Sequence, residues 1–150
     1  MKVTIGVVLL VVSLGIWAKS PYTGTILIAT QYDYPTLVNR LDKAIGDNGM
    51  AVVSRASATL GAKSLGVKIP GNMVVMAFNP KFAIQMLKAS IEAGYEAPIR
   101  FYVTEQANGK ASLSYRTPSS LFAPYKSADL DKMANELDVI FEKIAQQATR

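Results

Sequence analysis

Residues 99–116 read IRFYVTEQANGKASLSYR, and the way this stretch folds back on itself decides the architecture. Two runs that alternate apolar and polar residues flank Asn108-Gly109, a pair that signals a β-hairpin turn. Two registers compete. A two-residue turn pairs Phe101 with Arg116 and Val103 with Ser114, so each face mixes core and solvent side chains. A three-residue loop, with Gly109 left-handed in a bulge, pairs Phe101 with Tyr115 and Val103 with Leu113. The second register gathers Ile99, Phe101, Val103, Ala111, Leu113 and Tyr115 on one face. Register follows the hydrophobic pattern, so the second is predicted.

The same register fixes the polar face. Arg100 falls opposite Arg116, Tyr102 opposite Ser114, and Thr104 opposite Ser112. Like charges directly across a ladder destabilise it, so a negative group is expected between the arginines. It is either an acid from elsewhere in the fold, such as Glu105 or Glu96, or an external one. A ligand carboxylate, a phosphate or a partner's acidic side chain would suit guanidinium forks. Tyr102 adds amphipathic contact area. Arg100, Tyr102, Ser114 and Arg116 are therefore the candidate ligand- or partner-binding residues.

Working outward, Gly24 to Thr30 (GTILIAT) is short and β-branched and reads as a strand. Asp33 caps a helix with Pro35 in its first turn, its apolar face carrying Leu37, Leu41, Ala44 and Ile45. Gly49 closes it as a left-handed C-cap. Met50 to Arg55 restarts as a strand, and Ala56 to Gly71 reads as a short helical turn and loop. Met73 to Phe78 (MVVMAF) is a continuous apolar run, expected as a buried central strand. Asn79-Pro80 starts a helix with Phe82, Met86 and Leu87 inward. Ser119 to Tyr125 reads as a loop with Leu121 and Phe122 tucked in. Ser127 caps a last helix to about Gln147. Its stripe of Leu130, Met133, Ala134, Leu137, Ile140, Phe141 and Ile144 suits packing on a sheet. The predicted fold is α+β: one domain over residues 21–150, with helices on a single face of a curved, mainly antiparallel sheet.

Ahead of it stands MKVTIGVVLLVVSLGIWA, residues 1–18. Lys2 is followed by an uncharged run, Val3 to Ala18, and then by Lys19. As a helix the run would span about 24 Å, short against a hydrocarbon core of about 30 Å. Snorkelling by Lys2 and Lys19, with Trp17 at the interface, closes the difference. The same residues also fit a signal peptide with Ala18-Lys19-Ser20 as its cleavage site. Residues 1–20 are thus a membrane anchor, an N-terminal hydrophobic helix, or a cleaved signal. Either way residues 21–150 belong on the outer side of the inner membrane, tethered or soluble in the periplasm.

Composition narrows the chemistry. The chain has no histidine and no cysteine, which excludes imidazole bases, Ser-His-Asp and Cys-His arrangements and nearly all zinc and copper sites. No metal or cofactor is expected. Gly61, Gly66 and Gly71 lack the Lys-Ser/Thr ending of a phosphate-cradling loop. Asp129, Asp131, Glu136, Asp138 and Glu142 interleave with Lys132 and Lys143 as a solvated helix face does. The net charge is +5, and no acid occurs between Asp47 and Glu92 while Arg55, Lys63, Lys68, Lys81 and Lys88 do. That stretch reads as a solvated surface or as one that meets anionic lipid or an acidic partner. No basic-aromatic motif supports nucleic-acid binding.

The order of elements, together with particular residues, resembles the bacterial and archaeal family called domain of unknown function 302. The matching features are Leu41–Gly49, Gly61, Gly66, Phe78-Asn79-Pro80, Ala97-Pro98, Asn108-Gly109-Lys110, Leu113-Ser114-Tyr115 and Leu121. The resemblance covers roughly residues 25–146 and implies an α+β fold similar to the TATA-binding-protein or helix-grip arrangement, with no established activity. Relatives carry an Asp-His pair shortly after the second strand, where this chain reads Ala56-Ser57-Ala58. The expectation is a non-catalytic, membrane-tethered accessory subunit, partnered by a membrane protein complex or further copies of itself. The alternative is a secreted periplasmic binding protein for a small anionic or amphipathic ligand, held between sheet and helix.

Overall fold

In the computed structural model, which describes residues 22–150, β4 (Ile99–Glu105) and β5 (Ala111–Arg116) pair in the second register. Phe101 faces Tyr115 and Val103 faces Leu113. Gln106 N donates to Lys110 O at 2.7 Å, closing a short loop in which Gly109 has φ +75°. An L side chain resists that conformation, which is why glycine stands there. Ile99, Phe101, Val103, Ala111, Leu113 and Tyr115 are all buried, as the alternation requires.

The remaining strands extend this hairpin on both sides. β1 (Thr25–Ala29), β2 (Ala51–Ala56) and β3 (Asn72–Phe78) complete a five-stranded antiparallel sheet in the order β1-β5-β4-β3-β2. β3 is thus an interior strand, but the centre belongs to β4. Only Val75 and Ala77 of its apolar run are fully buried, while Val74 and Met76 on the other face are half-buried. A continuous apolar run overstated burial here because one sheet face has no helix over it.

Five helices join the strands: α1 (Tyr34–Asp47), α2 (Ala58–Ser64), α3 (Pro80–Ala89), α4 (Pro118–Phe122) and α5 (Ala128–Thr149). The caps at Asp33, Asn79 and Ser127 are those the sequence announces; Ser57 and Thr117 are found only in the structure. Asp33, Ser57, Asn79, Thr117 and Ser127 each accept a backbone N–H of the first turn. Gly49, at φ +72°, follows the end of α1. Ser119 to Tyr125 is not a loop: Thr117 caps α4, and a 3₁₀ turn, Ala123–Tyr125, follows it. Leu121 and Phe122 are buried as expected. In α3, Phe82 and Met86 turn inward but Leu87 points out.

α1 and α5 cover the buried face. The Phe101 ring stacks on Phe141 of α5, with centroids 4.7 Å apart and planes 12° from parallel. Tyr115 joins that cluster, 5.3 Å from Phe101 and 6.0 Å from Phe141. Arg40 of α1 fastens the two helices. Its Nε donates to Ala148 O at 2.8 Å and its guanidinium also reaches the carbonyls of Gln147 and Arg150. A cation suits the carbonyl-rich end of a helix. The expected N-terminal helix, with Lys2, Trp17 and Lys19, lies outside the described residues; among those described, no helix is long and apolar enough to cross a membrane.

Two outcomes follow from this core. Phe101→Ala removes the ring at the centre of the stack and should cost about 3–5 kcal/mol, read as a lower urea midpoint at unchanged slope. Burial, reinforced by the carboxylates of Glu142 and Asp138, raises the Tyr115 phenol above its ordinary value. The native state then keeps a proton that the unfolded chain has lost, so stability falls as pH climbs past about 10. Tyr115→Phe should lessen that alkaline loss in a pH series of urea melts, leaving the part due to Tyr34 and Tyr125, whose phenols are also raised, desolvation first among the causes.

Candidate functional site

The sheet face opposite the helices carries the four candidate residues, and the pairing arranges them in rows. Thr25 pairs with Arg116, and Arg100 with Met76 and through it Ser54; continuing the Phe101–Tyr115 register by one residue sets Arg100 opposite Arg116 and joins them into one row. The next runs Leu27, Ser114, Tyr102, Val74, Ala56. A third holds Ala29, Ser112, Thr104 and Asn72. The site is therefore a shallow surface in which an apolar and aromatic strip (Leu27, Tyr102, Val74) lies beside two guanidinium groups. Leu27, Tyr102 and Arg100 are exposed, and Ser114 and Arg116 are half-buried.

Neither arginine meets an acid. Among the described residues the ion pairs are Lys43–Asp47 and Arg55–Asp42. Glu105 is engaged elsewhere, accepting Gly71 N at 2.7 Å, and Glu96 accepts the Tyr125 hydroxyl at 3.2 Å. Internal pairing through those two acids, open on the sequence alone, is not what the fold builds. Arg116 instead leans toward α4, where one guanidinium nitrogen donates to Ser120 O over a long 3.4 Å. Its guanidinium carbon lies 5.4 Å from the centre of the Tyr22 ring. Its Nε is shut off from water with no hydrogen-bond partner among the described residues. Ser112, buried in the third row, has an unpartnered hydroxyl as well. Buried polar atoms without partners are uncommon, and two of them flank this face.

At the far end of the face a hydroxyl-amide network stands where the resemblance places an Asp-His pair. Asn72 O accepts from the Tyr34 hydroxyl at 3.0 Å and from Ser57 Oγ at 2.6 Å. Asn72 Oδ1 accepts Ala58 N at 2.9 Å, and Asn72 N donates to Thr59 Oγ1 at 2.9 Å. Gly71 is required beside it, because a Cβ there would lie 2.6 Å from the Tyr34 ring. These groups cap a helix and order a loop, and nothing in them titrates near neutral pH. Among the described residues no cluster of His, Cys, Asp or Glu is placed to hold a metal ion. On α5, Asp138 accepts Ser119 N at 2.9 Å, while Asp129, Asp131, Glu136 and Glu142 face solvent.

A second concavity lies in the helix layer. α3, α5 and the Ile99 end of the sheet enclose an apolar cleft of about 30 Å³, lined by Met50, Phe82, Met86, Ile99, Phe122 and Met133 among others. Three methionines make its walls adaptable. Alternation in the sequence reaches these residues only as core; that they leave a gap depends on how α3 sits. The orphaned Arg116 Nε was likewise invisible to pattern reading, since its surroundings come from Tyr22 and α4.

No curated protein matches this chain. Among solved structures, the crystal structure of an uncharacterized conserved protein DUF302 from Bacillus stearothermophilus is similar at a TM-score of 0.75 and 16% sequence identity. The match covers 84% of this chain and 98% of that one, and at such identity the likeness is one of fold. The model of the family described as domain of unknown function DUF302 matches residues 26–148, nearly the whole of the described domain, and the chain belongs to that family.

Proposed function

We propose that this protein is a non-catalytic binding subunit, tethered by residues 1–20 to the outer side of the inner membrane, whose open sheet face receives an acidic partner. What carries this reading is Arg100 and Arg116, which fall opposite each other when the β4–β5 register is continued one residue past Phe101–Tyr115, and neither of which is in an ion pair among the described residues. In a folded protein such a pair is neutralised at a cost in specificity elsewhere or is held ready for a charge that arrives from outside. The strip of Leu27, Tyr102 and Val74 beside it supplies the apolar and aromatic contact that an interface core uses. The hydrophobic N-terminus and the lack of histidine and cysteine support a tethered, non-enzymic role. A second reading draws on the methionine-lined cleft: a small amphipathic ligand in a soluble periplasmic binder, opening the cleft as it enters.

Extraction of the native membrane fraction in mild detergent should bring this chain down within a larger assembly. Replacing both Arg100 and Arg116 by Gln should release it from that assembly. Thermal stability should move little, because among the described residues Arg100 makes no hydrogen bond or ion pair and Arg116 has only the long bond to Ser120 and the Tyr22 ring. Added salt should weaken the wild-type assembly in the same direction if the face stays open to solvent. Recovery of the wild-type chain solely as free soluble protein, with a small molecule retained in native mass spectrometry, would transfer the assignment to the cleft. A large loss of stability in the double variant with assembly unchanged would make the arginines structural.

A further inference from the structure

α3 is apolar on two sides. Phe82 and Met86 turn toward the cleft and core, while Ile84 and Leu87 lie on the outer side, 56% and 47% exposed. Ile91, just past the helix end, is 78% exposed, and Tyr95 of the following 3₁₀ turn (Glu92–Glu96) is 89% exposed. Helix and turn form one surface, since a Cβ on Gly94 would meet the Leu87 side chain at 3.1 Å. Exposed Lys81 and Lys88 border it. Of the nearby acids, Glu92 accepts the Ser90 hydroxyl at 2.8 Å and Glu96 accepts that of Tyr125. Contiguous exposed apolar residues beside a helix face that is already buried mark a contact surface.

The topology says what lies against it. β1 and β4 begin, and β3 and β5 end, at the same end of the sheet. α3 and its 3₁₀ turn connect β3 to β4 and so occupy that end, while α2 and the β4–β5 loop occupy the other. The described chain starts at Tyr22, also at the α3 end, and the uncharged run Val3–Ala18 precedes it by only a few residues. A bilayer holding that run lies within reach of α3 and away from α2. We infer that the outer side of α3 with its 3₁₀ turn docks into the interfacial layer of the bilayer in which the N-terminal run is anchored. Aliphatic side chains enter the acyl boundary, Tyr95 sits at headgroup depth, and Lys81 and Lys88 reach lipid phosphates. Docking there points the α2 end and the β4–β5 loop away from the membrane. The inference rests on the tether proposed above and adds an orientation to it.

The chain has no cysteine, so single labels are unambiguous. Ile91→Cys and, as the opposite-end control, Leu65→Cys (81% exposed after α2) are each labelled with an environment-sensitive dye in the full chain. The protein is reconstituted into phosphatidylcholine vesicles with and without phosphatidylglycerol, and flotation reports the tether separately. The dye at 91 should shift to the blue and be quenched by a lipid-borne quencher near the headgroups, and Ile84→Ser should lessen both effects. The dye at 65 should stay aqueous. A chain that floats while the dye at 91 remains aqueous, or while both positions are quenched alike, overturns the docking alone. A chain that does not float overturns the tether and the docking together.

Discussion

The register of the β4–β5 hairpin is the constraint on which everything else depends. A slip by one residue would put Phe101 opposite Arg116 and Val103 opposite Ser114, so that the apolar residues of one arm would turn to the open face. In the register adopted, Phe101 meets Phe141, and that stack is where sheet and last helix engage. β3 and β1 then copy the choice onto their own strands, because each pairs residue for residue with one arm of the hairpin. A loop closed by Gly109 in the left-handed region enforces it locally.

A sheet covered on one face has a free face to spend, and charge distinguishes the two. Arg40 is satisfied by the carbonyls at the end of α5, and Arg55 by Asp42 of α1. Both lie toward the helix layer, where partners are supplied by the fold. Arg100 and Arg116 lie on the other face and receive no acid. Asymmetry of this kind, with cations resolved on one side of a sheet and left unresolved on the other, is what motivates reading the free face as an interaction surface.

Sixteen per cent identity with a structure that shares the fold shows how little of the sequence the architecture needs. Alternation on the strands, caps on the helices and a few glycines suffice, and these survive wide substitution. Local chemistry does not. Where the resemblance implies an Asp-His pair, Ser57, Asn72, Tyr34 and Thr59 here spend their polar atoms on one another and on the backbone.

Much was decided by the sequence alone. The hairpin register, the helix starts at Asp33, Asn79 and Ser127 and the buried stripe of α5 follow from short-range rules of period, capping and turn geometry, which operate within a few residues. Tertiary structure decided the rest. It made β4 rather than β3 the central strand, because strand order depends on pairing across long separations. It turned Ser119–Tyr125 from a loop into part of α4 and a 3₁₀ turn packed on α5, and it put Leu87 outside, because an apolar residue on a helix records no address for its face. It also took Glu105 and Glu96 away to Gly71 and Tyr125, leaving the arginines without them. Pairing of charges is settled by distances in space, and no spacing along the chain encodes those.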